Sequence, residues 1–79
     1  MVKRKLEPKE IFAKRLKELR EEHQLTQEQL ADKIDTNKQT LSRYEKNQRE
    51  PGINIVAKIA DFFEVSIDYL AGRKNQKKS

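Results

Sequence analysis

Lys38, Gln39, Ser42, Arg43 and Lys46 carry hydrogen-bond donors and cationic heads, separated by one, three, one and three positions along a short segment. If the segment is helical, those intervals put all five on one side of a rod, with Leu41 and Tyr44 on the other. The chemistry open to such a face is recognition rather than reaction. Glutamine can engage an adenine edge through two hydrogen bonds, arginine can do the same with guanine, and lysine and serine can hold phosphate oxygens. A single α-helix is also the shape that the major groove of duplex DNA admits.

Other chemistries find little to work with in the 79 residues. There is no cysteine, so no disulfide and no thiolate metal site is expected. The one histidine, His23, neither builds a metal site nor supplies a Ser/His/Asp constellation. No carboxylate pair, activated nucleophile or glycine-rich phosphate loop stands out, which makes an enzyme the weakest expectation. No cofactor, metal or small-molecule ligand is expected either. Apolar residues run together at most three at a time, as at Ile55, Val56 and Ala57, far short of the roughly 20 that span a bilayer. Met1 to Lys5 is basic, but no apolar stretch follows as in a secretion signal, so a cytoplasmic location is expected.

A recognition rod needs elements to hold it, and the surrounding pattern supplies them. Apolar content of 34% and charged content of 39% suit one small domain of heavily solvated helices. Glu7-Pro8 favours a helix start, and Phe12, Leu16 and Leu19 form a buried stripe that ends near His23. Thr26, with Gln29 three residues on, has the capping-box arrangement and opens a second helix to about Ile34. Asn37 caps a third. Asp35 and Asn47 fall just past helix ends, where a left-handed residue is wanted and Asp or Asn tolerates it. After the turn signal Glu50-Pro51-Gly52, Asn54 is the cap candidate for a fourth helix with Val56, Ile59, Ala60 and Phe63 inward. Ser66 caps a short fifth helix with Ile67 and Leu70 inward. The expected division is a basic N-terminal arm over 1–7, a helical domain over 8–71 and a basic disordered tail over 72–79.

Charge is distributed unevenly along this plan. The formal net charge is +5, of which residues 1–10 contribute +2 and residues 71–79 contribute +4. Within the domain, residues 37–49 hold Lys38, Arg43, Lys46 and Arg49 against Glu45 alone, a local +3. Residues 50–70 hold Lys58 against Glu50, Asp61, Glu64 and Asp68, a local −3. One face attracts a polyanion and the other repels it. Lys38 is telling in itself, because a cation in the first turn of a helix opposes the macrodipole by roughly 0.3 to 1 kcal/mol. Surface solvation beside Asp35 is the plain alternative for it.

From about Phe12 to Leu70 the chain resembles the Cro/phage-repressor type of helix-turn-helix domain, the lambda-repressor-like family. The resemblance rests on Leu-Thr-Gln-x-x-Leu-Ala at Leu25 to Ala31 and Thr-Leu-Ser-Arg-Tyr-Glu at Thr40 to Glu45. It extends to Arg49-Glu-Pro51, to Ile59-Ala60 and to Val65-Ser66. It implies an all-α, five-helix domain with the helix-turn-helix at helices two and three, the third entering the major groove. By position it implies that Gln27 contacts the DNA backbone, that Lys38, Gln39 and Arg43 read bases with help from Ser42, and that Arg20 pairs with Glu45. Asp35 and Asn47 stand where the family commonly has glycine.

The expected function is a sequence-specific transcriptional regulator, a repressor that binds a near-palindromic site on double-stranded DNA as a homodimer. Candidate DNA-binding residues are Gln27, Lys38, Gln39, Ser42, Arg43, Lys46, Asn47 and Arg49, the last two suited to phosphate. Arg20 and Glu45 flank buried stripes and are expected to form a structural ion pair. Lys3, Arg4 and Lys5 are weaker phosphate candidates. Ile55, Phe62 and Tyr69 are not needed to complete the inward stripes, which makes them candidates for a dimer seam or simply for a wider core. The competing expectation is an antitoxin or co-regulator that uses the same scaffold to hold a protein partner.

Overall fold

The computed structural model describes residues 6–78. Lys3, Arg4 and Lys5 of the basic arm lie outside the described residues. Five helices follow one another: α1 Pro8–Glu22, α2 Gln27–Lys33, α3 Lys38–Glu45, α4 Ile53–Phe63 and α5 Ile67–Leu70. No strand is present among the described residues.

Local chemistry sets most of the starts. Proline at the first position of α1 gives up no helical hydrogen bond, and Glu7 and Glu10 close a capping box around it. Thr26 and Gln29 do the same for α2. The Asn37 side chain accepts from the Thr40 amide at 2.8 Å to start α3, and Ser66 accepts from the Tyr69 amide at 3.0 Å to start α5. The fourth start differs from the sequence expectation. Gly52 occupies the cap, and Asn54 lies inside the helix. The Gly52 carbonyl already accepts from the Ile55 and Val56 amides at 3.1 Å, so the helix is under way two residues before Asn54.

The ends share one device. The amides of Leu25, Thr36, Gln48, Val65 and Arg73 each bond the carbonyl five residues back, at 2.8 to 3.1 Å. Each closure needs a left-handed residue just before it: Gln24, Asp35, Asn47, Glu64 and Gly72. Only the last is glycine. There a Cβ would sit 2.5 Å from Ile11 Cδ1, so Gly72 serves packing as well as backbone geometry.

The core is built from the stripes: Phe12, Leu16 and Leu19 of α1, Leu30 and Ala31 of α2, Leu41 and Tyr44 of α3, and Ile59, Ala60 and Phe63 of α4, with Leu70 of α5. Leu16, Leu19, Leu30, Ile34, Leu41, Ile59 and Leu70 are almost wholly excluded from water, each worth about 1.5 to 3 kcal/mol of burial. Leu41 and Tyr44 are the reason α3 faces outward with its remaining side chains. Val56 is half-buried against this core rather than inside it.

Two expectations for the C-terminal third are corrected. Tyr69, a candidate for a dimer seam, is a core residue, and Ile67, expected inward, is exposed. A helix of four residues is one turn, too short for spacing to define its inner face. Arg15 of α1 decides it, laying its guanidinium 4.2 Å from the Tyr69 ring centroid and donating to the Tyr69 carbonyl. Residues 74–77, beyond Gly72, make polar contacts with α1 and the start of α5. Arg15 donates to the Lys74 carbonyl at 2.8 Å and the Asn75 side chain at 3.1 Å, Lys77 reaches Glu22 at 3.1 Å, and the Lys77 carbonyl accepts from the Ser66 amide. These bonds are polar and mostly exposed, so composition gives no hint of them.

Candidate nucleic-acid interface

Because Leu41 and Tyr44 pin α3 to the core, its other side points to solvent. Lys38, Gln39 and Arg43 are exposed, as are Lys46, Asn47 and Arg49 just past the helix, while Ser42 is half-buried at the helix flank. None of the six exposed side chains has a hydrogen bond or ion pair among the described residues. That point bears most on Lys38. The acid that might have neutralised it, Asp35, pairs instead with Lys58 at 2.9 Å. An eight-residue helix is about 12 Å long, comparable to the width of a major groove.

The turn between α2 and α3 is short because Asp35 adopts φ 58°, which lets the Thr36 amide close on Ala31 at 2.8 Å and delivers Asn37 to its capping position. The first turns of α2 and α3 are thus neighbours. Thr26, Glu28, Gln29, Asp32, Asn37 and Lys38 line one shallow groove between them. The acids Glu28 and Asp32 beside Lys38 were not anticipated, since no spacing rule in the sequence relates side chains on different helices. They oppose phosphate there and narrow where a polyanion can seat.

Behind this face sits a polar knot. Glu45 at the end of α3 accepts from Arg20 Nε at 2.6 Å and Nη2 at 3.0 Å, and its side chain is 3% exposed. A third Arg20 donor, Nη1, holds the Leu25 carbonyl at 2.9 Å, tying the α1–α2 turn into the same pair. The hydrogen bond to Glu45 raises the Arg20 pKa above its ordinary value, against burial, which lowers it. Gln27, at the first position of α2, is half-buried and donates from Nε2 to Glu45 Oε1 at 3.2 Å. Sequence reading placed Gln27 on the recognition side but missed its link to Glu45.

Of the three seam candidates, Phe62 is 37% exposed, Ile55 is half-buried against the core, and Tyr69 is buried. Ile55 and Phe62 lie two helical turns apart on one side of α4. Ile53, also exposed, is nine residues before Phe62 and therefore on the opposite side.

Two short helices joined by a four-residue turn, the second anchored by its apolar side and open on its polar side, define a helix-turn-helix. The chain belongs to the helix-turn-helix family, whose pattern matches residues 16–70. It is 37% identical over 62 residues to the HTH-type transcriptional regulator ImmR of Bacillus subtilis, covering 78% of this chain and 49% of that protein. It is 37% identical over 57 residues to the cryptic phage CTXphi transcriptional repressor RstR of Vibrio cholerae, covering 72% of this chain and 51% of that one. The chain thus spans about half the length of these curated relatives. Among solved structures, the P22 c2 repressor in complex with a synthetic operator superposes with a TM-score of 0.72 at 20% identity, over 75% of this chain and 89% of that one. The all-α lambda-repressor-like fold is therefore shared. No helix among the described residues is long and apolar enough to cross a membrane.

Proposed function

We propose that this chain is a sequence-specific DNA-binding repressor of transcription that occupies a near-palindromic operator as a homodimer. The observation that carries the reading is the outward side of α3 and its exit, where Lys38, Gln39, Arg43, Lys46, Asn47 and Arg49 are exposed and lack partners among the described residues. Donors left without protein partners along a groove-sized rod are placed to meet acceptors on a ligand. Gln39 and Arg43 select bases, Ser42 assists, and Lys38, Lys46, Asn47 and Arg49 hold phosphates or neighbouring edges. Gln27 offers an amide to the backbone from the start of α2. The names of ImmR and RstR, a regulator and a repressor, and the operator bound to the P22 c2 repressor, support the same reading. Such a protein works on chromosomal or phage DNA in the cytoplasm.

A dimer follows from the length of the reader, since one helix meets only a few base pairs. Two copies on one face of the duplex would place their α3 helices about 34 Å apart. Phe62 and Ile55 on α4 are the residues available for a seam.

Selection of bound duplexes from a random pool tests this reading. The expected product is a near-palindrome with half-sites about 10 base pairs apart, preferred more than about a hundredfold over random duplex at physiological salt. Failure to enrich any sequence would favour the second reading, an antitoxin or co-regulator that holds a protein partner, for which the exposed Phe62 and Ile67 are the supporting observation.

A further inference from the structure

Gln27, Glu45 and Arg20 come from three helices and meet in one hydrogen-bonded chain. Glu45 is a carboxylate almost sealed from water, with three protein donors on its two oxygens: Arg20 Nε, Arg20 Nη2 and Gln27 Nε2. A carboxylate accepts and cannot donate, so Gln27 can face it only through its NH2 group; the flipped amide would set oxygen against oxygen. The orientation of the Gln27 amide is therefore dictated by Glu45. One N–H is committed to the carboxylate, and the other, fixed in the same plane, remains free. A phosphate oxygen is likewise an acceptor, so a free N–H held in place is what it requires, and a freely rotating amide would offer its oxygen part of the time.

We propose that Glu45 is a positioning residue for DNA binding, acting through Gln27, and that the Arg20–Glu45 pair contributes to affinity as well as to stability. The inference rests on the reading of Gln27 as a backbone contact. Arg20 has a defined share in it. By taking both carboxylate oxygens and the Leu25 carbonyl, it holds Glu45 in one rotamer beside the first turn of α2. Because a neutral amide displaces no counterion, its loss lowers affinity without changing the salt dependence, unlike loss of a lysine.

The test is a cycle of four proteins: the wild type, Gln27→Ala, the double variant Arg20→Met/Glu45→Met, and the triple variant. Replacing both charges avoids stranding either one in the interior. Binding to the duplex selected by the wild-type chain is measured by anisotropy, at a temperature where circular dichroism shows each protein folded. Gln27→Ala is expected to weaken binding about tenfold in the wild-type background, as for a hydrogen bond to a charged group, with the salt slope unchanged. In the double-variant background the same change is expected to matter less than about twofold. An equal loss in both backgrounds overturns the positioning role and leaves Gln27 as a contact; no loss in the wild-type background overturns both. Side-chain amide NMR of the wild type gives an independent readout should the double variant not fold. One Gln27 amide proton is expected to be protected in the free protein and the second only with DNA; both protons exchanging as fast as those of a solvent-exposed side-chain amide in the free protein overturn the proposal.

Discussion

Gln39 and Lys46 lie on the same side of α3 and its exit but offer a duplex different things. Gln39 presents a paired donor and acceptor that match only an adenine edge, whereas Lys46 presents a charge that any phosphate satisfies. Gln39→Ala should therefore relax selection at one position of the bound site, seen as loss of preference when the random-pool selection is repeated. Lys46→Ala should weaken binding to every sequence alike and reduce the salt slope by about 1. Uniform weakening by Gln39→Ala would remove it from the base readers. The buried pair makes a second prediction at this scale. Glu45→Ala strands the Arg20 guanidinium at 13% exposure and should destabilise the fold by about 3 to 5 kcal/mol, measured by urea unfolding. Replacing both partners by methionine should cost markedly less. The outward placement of Lys38, Gln39 and Arg43 was legible in the sequence because one helix face has a fixed period. The Gln27–Glu45 bond was not, since residues 18 apart on different helices obey no spacing rule.

At the scale of the element, side chains that cap could be read and backbone geometry could be read only in part. Thr26, Asn37 and Ser66 announce helix starts because their oxygens sit where an orphan amide needs them. Asp35 and Asn47 announce left-handed ends because their short polar side chains tolerate that region. Gln24 and Glu64 adopt φ 56° and 55° with no such signal in their chemistry. Both are exposed, and a non-glycine residue in this region is strained by roughly 1 to 2 kcal/mol, part of which glycine returns as entropy in the unfolded chain. Gln24→Gly and Glu64→Gly should each stabilise the fold by about 0.5 to 1 kcal/mol, a rise of a few degrees in thermal midpoint. Asp35→Gly should give less, because it also removes the exposed pair with Lys58. A fall in midpoint for either of the first two would mean that the side chain makes a contribution the backbone does not reveal.

The described part of the chain measures 41 by 27 by 24 Å, so the spacing of about 34 Å between successive major grooves on one face lies between its short and long dimensions. Two copies side by side can meet it, provided they touch through a surface away from α3. α4 offers that surface, with Phe62 37% exposed and Ile55 two turns earlier on the same side. Phe62→Glu tests the seam: the Phe62 ring is 37% exposed and meets Phe63 edge-on at 5.0 Å, and it is absent from the buried core that includes Phe63. The new carboxylate would stand between Asp61 and Glu64 on a stretch that already carries a local −3, so two copies would present like charges to each other. Anisotropy with one-half-site and two-half-site duplexes separates the seam from the reading face. Affinity for a single half-site should stay within about twofold, because α3 is untouched. Affinity for the full site should fall by about tenfold or more, because the second copy no longer gains from the first being bound. Equal losses on both duplexes would assign Phe62 to folding, and no loss on the full site would move the contact between copies elsewhere, with the exposed Ile53 on the opposite side of α4 the next surface to substitute.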